Sequence, residues 1–422
     1  MEDFVRELKW RGVLYDYTEG LEELKGRIVG YIGFDPTAKS LHVGSLLPLI
    51  TLSRFQRFGN IPIAVIGGGT GLIGDPSGKT KERPLLSKAE IDENAESIRL
   101  QIEKFLDFKA KENPAKIVNN YDWLWEIRLV DFLRDIGKHI TVNYMLQKES
   151  VRNRIQREEG ISFTEFSYML LQAFDFLVLY EREGCVLQMG GSDQWGNITA
   201  GIDLIRKVKG GKAYGLVFPL ITTSSGVKFG KTEEGTVWLD PNLTSPFKFY
   251  QFWINTEDAD VIRYLKYFTF LGRKEIEELE ESLKKEPEKR EPHRVLAREV
   301  TRMVHGEDAL RRTERATRVL FGEEIGDLNL KEILEIFSDV PSKEISKEKI
   351  GGDGYPLVDL LVEVGLFPSK GEARRAISGG GVYINNVRVT DMHAKVSVSH
   401  AVEGKVIIFR KGKKNYFLVK LV

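Results

Sequence analysis

The chain has 422 residues, 42% hydrophobic and 29% charged, with 62 basic against 62 acidic side chains. At about 150 residues per domain, that length predicts two to four domains, and the composition excludes a disordered or fibrous protein. The balanced charge excludes a nucleic-acid affinity spread over the whole chain, so any such affinity must rest on a local basic excess.

One cysteine, Cys185, excludes an internal disulfide and a thiolate zinc site. The six histidines are scattered, so no metal-ligand set is expected. The start, MEDFVRELKW, lacks the apolar core of a secretory signal, and no run approaches a membrane span. A cytoplasmic setting without a membrane partner is the expectation.

Between residues 28 and 220 short apolar runs alternate with amphipathic stretches, the pattern of a parallel α/β layer. The polar run Tyr31-Ile-Gly33-Phe-Asp35-Pro-Thr37 leads to His42-Val-Gly44-Ser45 and a helix over residues 43–58. Free amides at such a helix start, beside Thr37 and His42, suit a phosphate. Gly44 leaves room for a flat ring against the backbone.

Residues 61–66 read as a buried strand closed by Gly67-Gly68-Gly69. The next loop holds two look-alikes. Gly69-Thr-Gly71-Leu-Ile-Gly74 matches the dinucleotide pattern, but Asp75-Pro76 follows where a helix must begin. Gly74 through Lys79 is one residue short of a P-loop. What survives is a glycine-rich loop with an acid, Asp75, and two cations, Lys79 and Arg83.

A helical pattern covers residues 164–182, with Tyr168, Gln172 and Asp175 at i, i+4 and i+7. That stripe either faces solvent or forms a buried polar row awaiting a polar ligand. A strand over 185–189 then runs into Gly191-Ser-Asp193-Gln194-Trp-Gly-Asn197, the strand-to-helix crevice where open α/β sheets bind ligands. The hydroxyl-rich loop from Thr222 carries Lys228-Phe-Gly-Lys231-Thr232, two lysines able to meet a polyphosphate. Residues 246–321 are helical in period, 338–354 have linker composition, and 355–422 hold a helical half followed by β runs at 382–384, 406–409 and 416–419.

His42-Val-Gly44-Ser45 with Lys228-Phe-Gly-Lys231-Thr232 resembles the two ATP-binding signatures of class I aminoacyl-tRNA synthetases. Adding the Tyr31–Thr37, Gly71–Lys79 and Gly190–Asn197 motifs, the chain is identified over nearly its whole length as a member of the bacterial tyrosyl-tRNA synthetases. Residues 369–375 and 381–385 resemble the small RNA-binding domain shared with a small-subunit ribosomal protein. The resemblance implies an α/β fold: a Rossmann-like parallel-sheet catalytic domain with a dimer-forming insertion over 1–221. It further implies an α-helical anticodon-binding domain carrying the signature lysine loop over 222–337, a linker over 338–354, and a small α+β RNA-binding domain over 355–422.

The implied reaction joins tyrosine to ATP as tyrosyl-adenylate, then to the terminal adenosine of tRNA(Tyr). By resemblance, Tyr31 and Asp175 bind the phenol, and Asp75, Tyr168 and Gln172 the ammonium group, with Gln194 nearby. Gly33, Asp35, Gly44, Ser45, Gly191, Asp193 and Gln194 line the adenylate pocket, while Thr37 and His42 reach the reacting phosphate. Lys79, Arg83, Lys228, Lys231 and Thr232 stabilise the departing pyrophosphate. The first signature usually ends in histidine; Ser45 is shorter and has no ring.

Magnesium is expected to travel with ATP, without a permanently bound cofactor or a protein metal site. The family is homodimeric, with residues 121–144 at the subunit contact. Lys370, Arg374, Arg375 and Arg388 are the expected RNA contacts, in a tail with 11 basic and 5 acidic residues over 355–422. A tryptophanyl-type synthetase of the same architecture is the alternative, less suited to the donor–acceptor pair of Tyr31 and Asp175.

Overall fold

The computed structural model describes residues 1–77, 85–155, 160–224, 226, 229–232, 235–326, 328–338, 340–412 and 415–422. The chain forms two compact units, Met1–Ser245 with Gln251–Val304, and Pro246–Tyr250 with His305–Val422.

The first unit opens with α1 (Glu2–Arg11), β1 (Asp16–Tyr17), β2 (Val29–Phe34), α2 (Leu46–Arg57), β3 (Ile61–Ile66), α3 (Lys88–Ile102) and β4 (Lys116–Asn119). Four short helices follow: α4 (Tyr121–Leu124), α5 (Leu129–Asp135), α6 (Val142–Leu146) and α7 (Glu149–Ile155). Then come α8 (Phe163–Glu183), β5 (Leu187–Gly191), α9 (Trp195–Lys209) and β6 (Tyr214–Phe218). The sheet order is β1-β6-β5-β2-β3-β4. All neighbours are parallel except β1, which runs antiparallel on β6.

The strand order reverses between β2 and β5, which creates a crevice at their carboxyl ends. β3 is apolar and buried on both faces, as a central parallel strand must be. Ser162 caps α8 by accepting the Glu165 N–H, and Gly184 ends it at φ 62°. The strand expected from Cys185 starts two residues later, because the Cys185 N–H still bonds to Leu179 O at the helix end. The helix expected from Val43 begins as a 3₁₀ turn, Val43–Ser45, and becomes α2 at Leu46.

After the hairpin β7 (Lys231–Thr232) and β8 (Gly235–Thr236) come α10 (Pro246–Ile254), α11 (Asp258–Phe268), α12 (Arg273–Lys285) and α13 (Glu291–His305). No compact-unit boundary falls at the expected position near residue 222. Two buried arginines supply the reason. Arg54 donates to Tyr267 O and Thr269 O at 2.9 and 2.7 Å, and Arg11 to Lys266 O and Leu271 O at 3.1 and 2.8 Å. They satisfy the carbonyls at the end of α11 and tie it to α1 and α2.

The second unit contains α14 (Glu307–Leu320), α15 (Leu330–Ile336), β9 (Ser342–Ile345), β10 (Tyr355–Pro356), α16 (Leu357–Glu363) and α17 (Lys370–Ser378). It ends with β11 (Val382–Ile384), β12 (Val387–Val389), β13 (Lys395–Val396), β14 (Val406–Lys411) and β15 (Asn415–Leu421). β10 pairs with β13, and the larger sheet runs β12-β11-β14-β15-β9. Asn385 and Asn386, at φ 52° and 64°, make the two-residue turn between β11 and β12.

Alternation along β14 sends Ile407 and Phe409 into a core with Leu360 and Ile377, and Ile408 into another with Val319, Ile333 and Phe337. The expected linker is therefore a correction: residues 342–345 are β9, parallel to β15, with only Ile345 buried. Its Ser-Lys-Glu composition belongs to a charged sheet edge. The expected boundary at 337/338 also cuts through the core shared by Phe337 and Tyr416. No described helix is long and apolar enough to cross a membrane.

Candidate active site

A cavity of about 700 Å³ opens at the carboxyl ends of β2, β3 and β5. All six residues expected to hold tyrosine line it: Tyr31, Asp75, Tyr168, Gln172, Asp175 and Gln194. So do Gly33, Asp35, Thr37, His42, Gly44, Ser45, Gly191 and Asp193.

One end of the cavity is a closed polar network. Asp175, 4% exposed, accepts from Trp123 Nε1 at 2.7 Å and from Asn120 Nδ2 at 2.9 Å. Asn120 also donates to Thr70 Oγ1, and Thr70 to Asp35 Oδ1, at 2.9 and 2.8 Å. The second Asp35 oxygen takes the Tyr168 hydroxyl at 2.8 Å. Asp35 thus lines the cleft while its carboxylate braces Tyr168.

Burial pushes the Asp175 carboxyl up to about 7, with the nearby Asp35 charge adding and the Asn120 and Trp123 bonds opposing. Burial likewise raises the Tyr168 hydroxyl, with Asp35 contributing. Across from Asp175, Tyr31 is 2% exposed and stacks edge-on against Phe176, and its hydroxyl has no partner among the described residues. An orphaned buried hydroxyl is costly unless a ligand group meets it. A phenol placed between Tyr31 and Asp175 accepts from one and donates to the other.

A second chain of bonds borders the same space. Gln194 Nε2 donates to Asp75 Oδ2 at 2.7 Å, and Asn197 Nδ2 bridges Gln172 Oε1 and Gln194 Oε1 at 3.0 and 3.1 Å. Asp75, Tyr168 and Gln172 together offer an ammonium group a carboxylate and two further oxygens.

The other end differs from expectation in one respect. The Gly44 N–H donates to His42 Nδ1 at 3.0 Å, and the Ser45 N–H to His42 O at 2.7 Å, so neither is open to a phosphate. The ring against Gly44 is the imidazole of His42 itself: a Cβ there would lie 2.7 Å from its Cε1. Beside it, Val43 N–H donates to Val237 O at 3.0 Å, and Val237 N–H to Gly230 O at 3.1 Å, so backbone bonds join the two signatures.

Lys79, Arg83 and Lys228 lie outside the described residues; Lys231 and Thr232 are described as backbone only, in β7. Of the expected RNA contacts, Arg374 and Arg375 are exposed on α17. Lys370 pairs with Asp359 at 2.8 Å, and Arg388 donates to Gly380 O at 2.8 Å. Sequence reasoning gave no role to Thr70, Asn120 or Asn197, and placed Trp123 only within the segment 121–144 expected at the subunit contact. Only Asn197 had a signal, its place in the motif that begins at Gly190.

The family model of class I tRNA synthetases (W and Y) matches residues 23–322, and that of the tyrosine–tRNA ligase SYY-like C-terminal domain matches residues 332–419. The chain belongs to the class I tRNA synthetases of the tryptophan and tyrosine type. It is 57% identical over 424 aligned positions to the tyrosine–tRNA ligase of Roseiflexus castenholzii, covering 100% of both chains. To the tyrosine–tRNA ligase of Bacillus caldotenax it is 55% identical over 423 positions, covering 99% of each. The C-terminally truncated mitochondrial tyrosyl-tRNA synthetase of Aspergillus nidulans superposes with a TM-score of 0.69 at 33% identity, covering 75% of this chain and 94% of that one.

Proposed function

We infer that the chain joins tyrosine to tRNA(Tyr), using MgATP as co-substrate. The observation that carries the amino-acid assignment is the orphaned Tyr31 hydroxyl opposite the doubly held Asp175. The tryptophan-type alternative is not favoured, because an indole N–H has nothing to offer the Tyr31 donor.

Tyr31 donates to the phenol oxygen, whose proton points to ionised Asp175. Asp75, Tyr168 and Gln172 take the ammonium group, with Gln194 fixing Asp75, Asn197 fixing Gln172 and Asp35 bracing Tyr168. The carboxylate is already ionised at neutral pH, so its attack on the α-phosphate needs no general base. The new P–O bond forms as the bond to pyrophosphate breaks. The protein's task is alignment and charge stabilisation. Thr37 and His42 meet the reacting phosphate, and Lys79, Arg83, Lys228, Lys231 and Thr232 the departing pyrophosphate. Gly33, Gly44, Ser45, Gly191 and Asp193 line the nucleotide's place. A ribose hydroxyl of the tRNA terminus then attacks the activated carbonyl and displaces AMP.

The exposed apolar face around α4–α8 supports a dimer of this chain: Trp125, Leu129 and Val130 are each 72% exposed and Phe163 is 78% exposed. The basic tail supports a phosphate-backbone contact with tRNA, led by Arg374 and Arg375, while Lys370 and Arg388 divide their charge between fold and RNA. This reaction belongs in the cytoplasm, with the tRNA pool. ATP–pyrophosphate exchange measured with each of the twenty amino acids tests the assignment. Tyrosine alone should support it, and exchange with tryptophan instead would refute it.

A further inference from the structure

We propose that Asp260, Arg263 and Tyr264, on one face of α11, are positioning residues for the second ATP signature, holding both ends of the segment 221–230 so that the adjoining Lys231 meets the phosphates. The proposal rests on the phosphate role assigned above to Lys231.

The three residues stand at i, i+3 and i+4, so they share a helix face. Asp260 is 2% exposed and its Oδ2 accepts the backbone N–H of Ser224 at 2.9 Å. Its Oδ1 takes Arg263, whose same nitrogen donates to Thr222 O at 2.7 Å. Glu257, at the helix start, receives the Ser224 hydroxyl at 2.8 Å. These contacts fix the entry of the segment.

The exit is fixed by the same helix. The Phe229 ring, 5% exposed, lies 5.0 Å from the Tyr264 ring and 5.3 Å from Phe268, with Phe252 and Trp253 closing the cage. Phe229 N–H donates back to Ile221 O at 3.3 Å, which closes the segment on itself. Gly230 then passes so near the first signature that a Cβ on it would sit 2.6 Å from Val43 Cγ2. Lys231 follows directly, so the backbone that carries it is placed by a chain of contacts that begins on α11.

An ordinary role for an acid in a first helical turn is to favour the helix dipole, and Asp258 already meets that need. Asp260 does not cap its own helix; it bonds to a backbone amide 36 residues away. Pre-organising cations for charge that grows in the transition state is a use for such a buried link.

Single-turnover formation of tyrosyl-adenylate by the full chain tests this, with tyrosine dissociation constants measured alongside. Asp260→Ala and Arg263→Gln should slow adenylate formation by about 10- to 100-fold while leaving tyrosine binding unchanged. Asp260→Asn keeps an acceptor for Ser224 and should recover most of the rate. Combined with Lys231→Ala, Asp260→Ala should add almost no further loss, because both act through one group. Wild-type rates in the single variants, fully additive losses, or equal damage to tyrosine binding would overturn the proposal. If Asp260→Ala does not fold, the half-exposed Arg263 and the Asn variant decide it. A wild-type rate for Lys231→Ala itself would remove the phosphate role, and this proposal with it. That outcome is distinct from a slow Lys231→Ala beside intact α11 variants.

Discussion

The two ends of the cleft are built on different principles. At the phenol end Asp175, Asn120, Thr70, Asp35 and Tyr168 are engaged with one another, and the Tyr31 hydroxyl beside them has no partner among the described residues. At the end proposed for the phosphates the amides of Gly44 and Ser45 are already used, and backbone bonds through Val237 join Gly230, the residue before Lys231, to Val43. The first arrangement is pre-organised for discrimination: an amino acid without a phenol leaves buried groups unmatched. In the proposed reaction the second would supply charge where it develops, which raises rate more than affinity.

Lys231→Ala should give the largest effect. Adenylate formation is expected to fall by about 10²–10³-fold, with tyrosine affinity unchanged. Pre-steady-state kinetics read the two quantities separately, and equal loss in both would erase the difference between the ends. Asp175→Ala comes next. It removes the acceptor for the phenol and orphans the Trp123 and Asn120 donors, each orphan costing about 1–3 kcal/mol. Tyrosine binding and preference over phenylalanine should fall together, as titration and exchange assays with both amino acids can show.

A smaller change, Trp123→Phe, keeps a ring but deletes one bond to Asp175 and should weaken tyrosine binding by about 1 kcal/mol. Its signature is in pH. Asp175 titrates near 7, above its unfolded value, so the folded protein holds that proton until neutral pH. The unfolded chain gives up that proton near pH 4, so stability falls as pH rises from about 4 to about 7 and then levels off. Tyrosine, which needs the ionised acceptor, binds more tightly as pH rises through 7. Losing the Trp123 bond should move the midpoint of tyrosine binding to higher pH. Calorimetry from pH 6 to about 8.5 checks this, and an unmoved midpoint would sever Trp123 from phenol recognition.

The smallest effect on exchange is expected from deleting residues 305–422 of the second unit, because all the described cavity-lining residues lie in the first. A chain ending after Val304 should keep tyrosine-dependent exchange and lose tRNA charging. One ending after Val340 should keep exchange too but aggregate on mild heating, since Val319, Ile333 and Phe337 lose Ile408 and Tyr416.

Much of this was legible in the chain. The run 61–66 read as a buried strand and is one, and the spacing of Tyr168, Gln172 and Asp175 put them on one helix face, which the structure turns to the cavity rather than to solvent. Asn120 and Trp123 were not, because they approach Asp175 across 55 and 52 residues and follow no local period. Arg11 and Arg54 belong to no motif, yet they donate to carbonyls at the end of α11, in a part of the helical region that falls in the sheet's unit. β9 was hidden for a different reason: a charged edge strand and a linker share one composition.

The rate of adenylate formation measured against tyrosine concentration, for the wild type, Asp175→Ala and Lys231→Ala, tests the division of labour most directly. The account predicts that Asp175→Ala raises the tyrosine concentration for half-maximal rate, while Lys231→Ala lowers the plateau and leaves that concentration in place. Curves that move in the same way for both variants would contradict it.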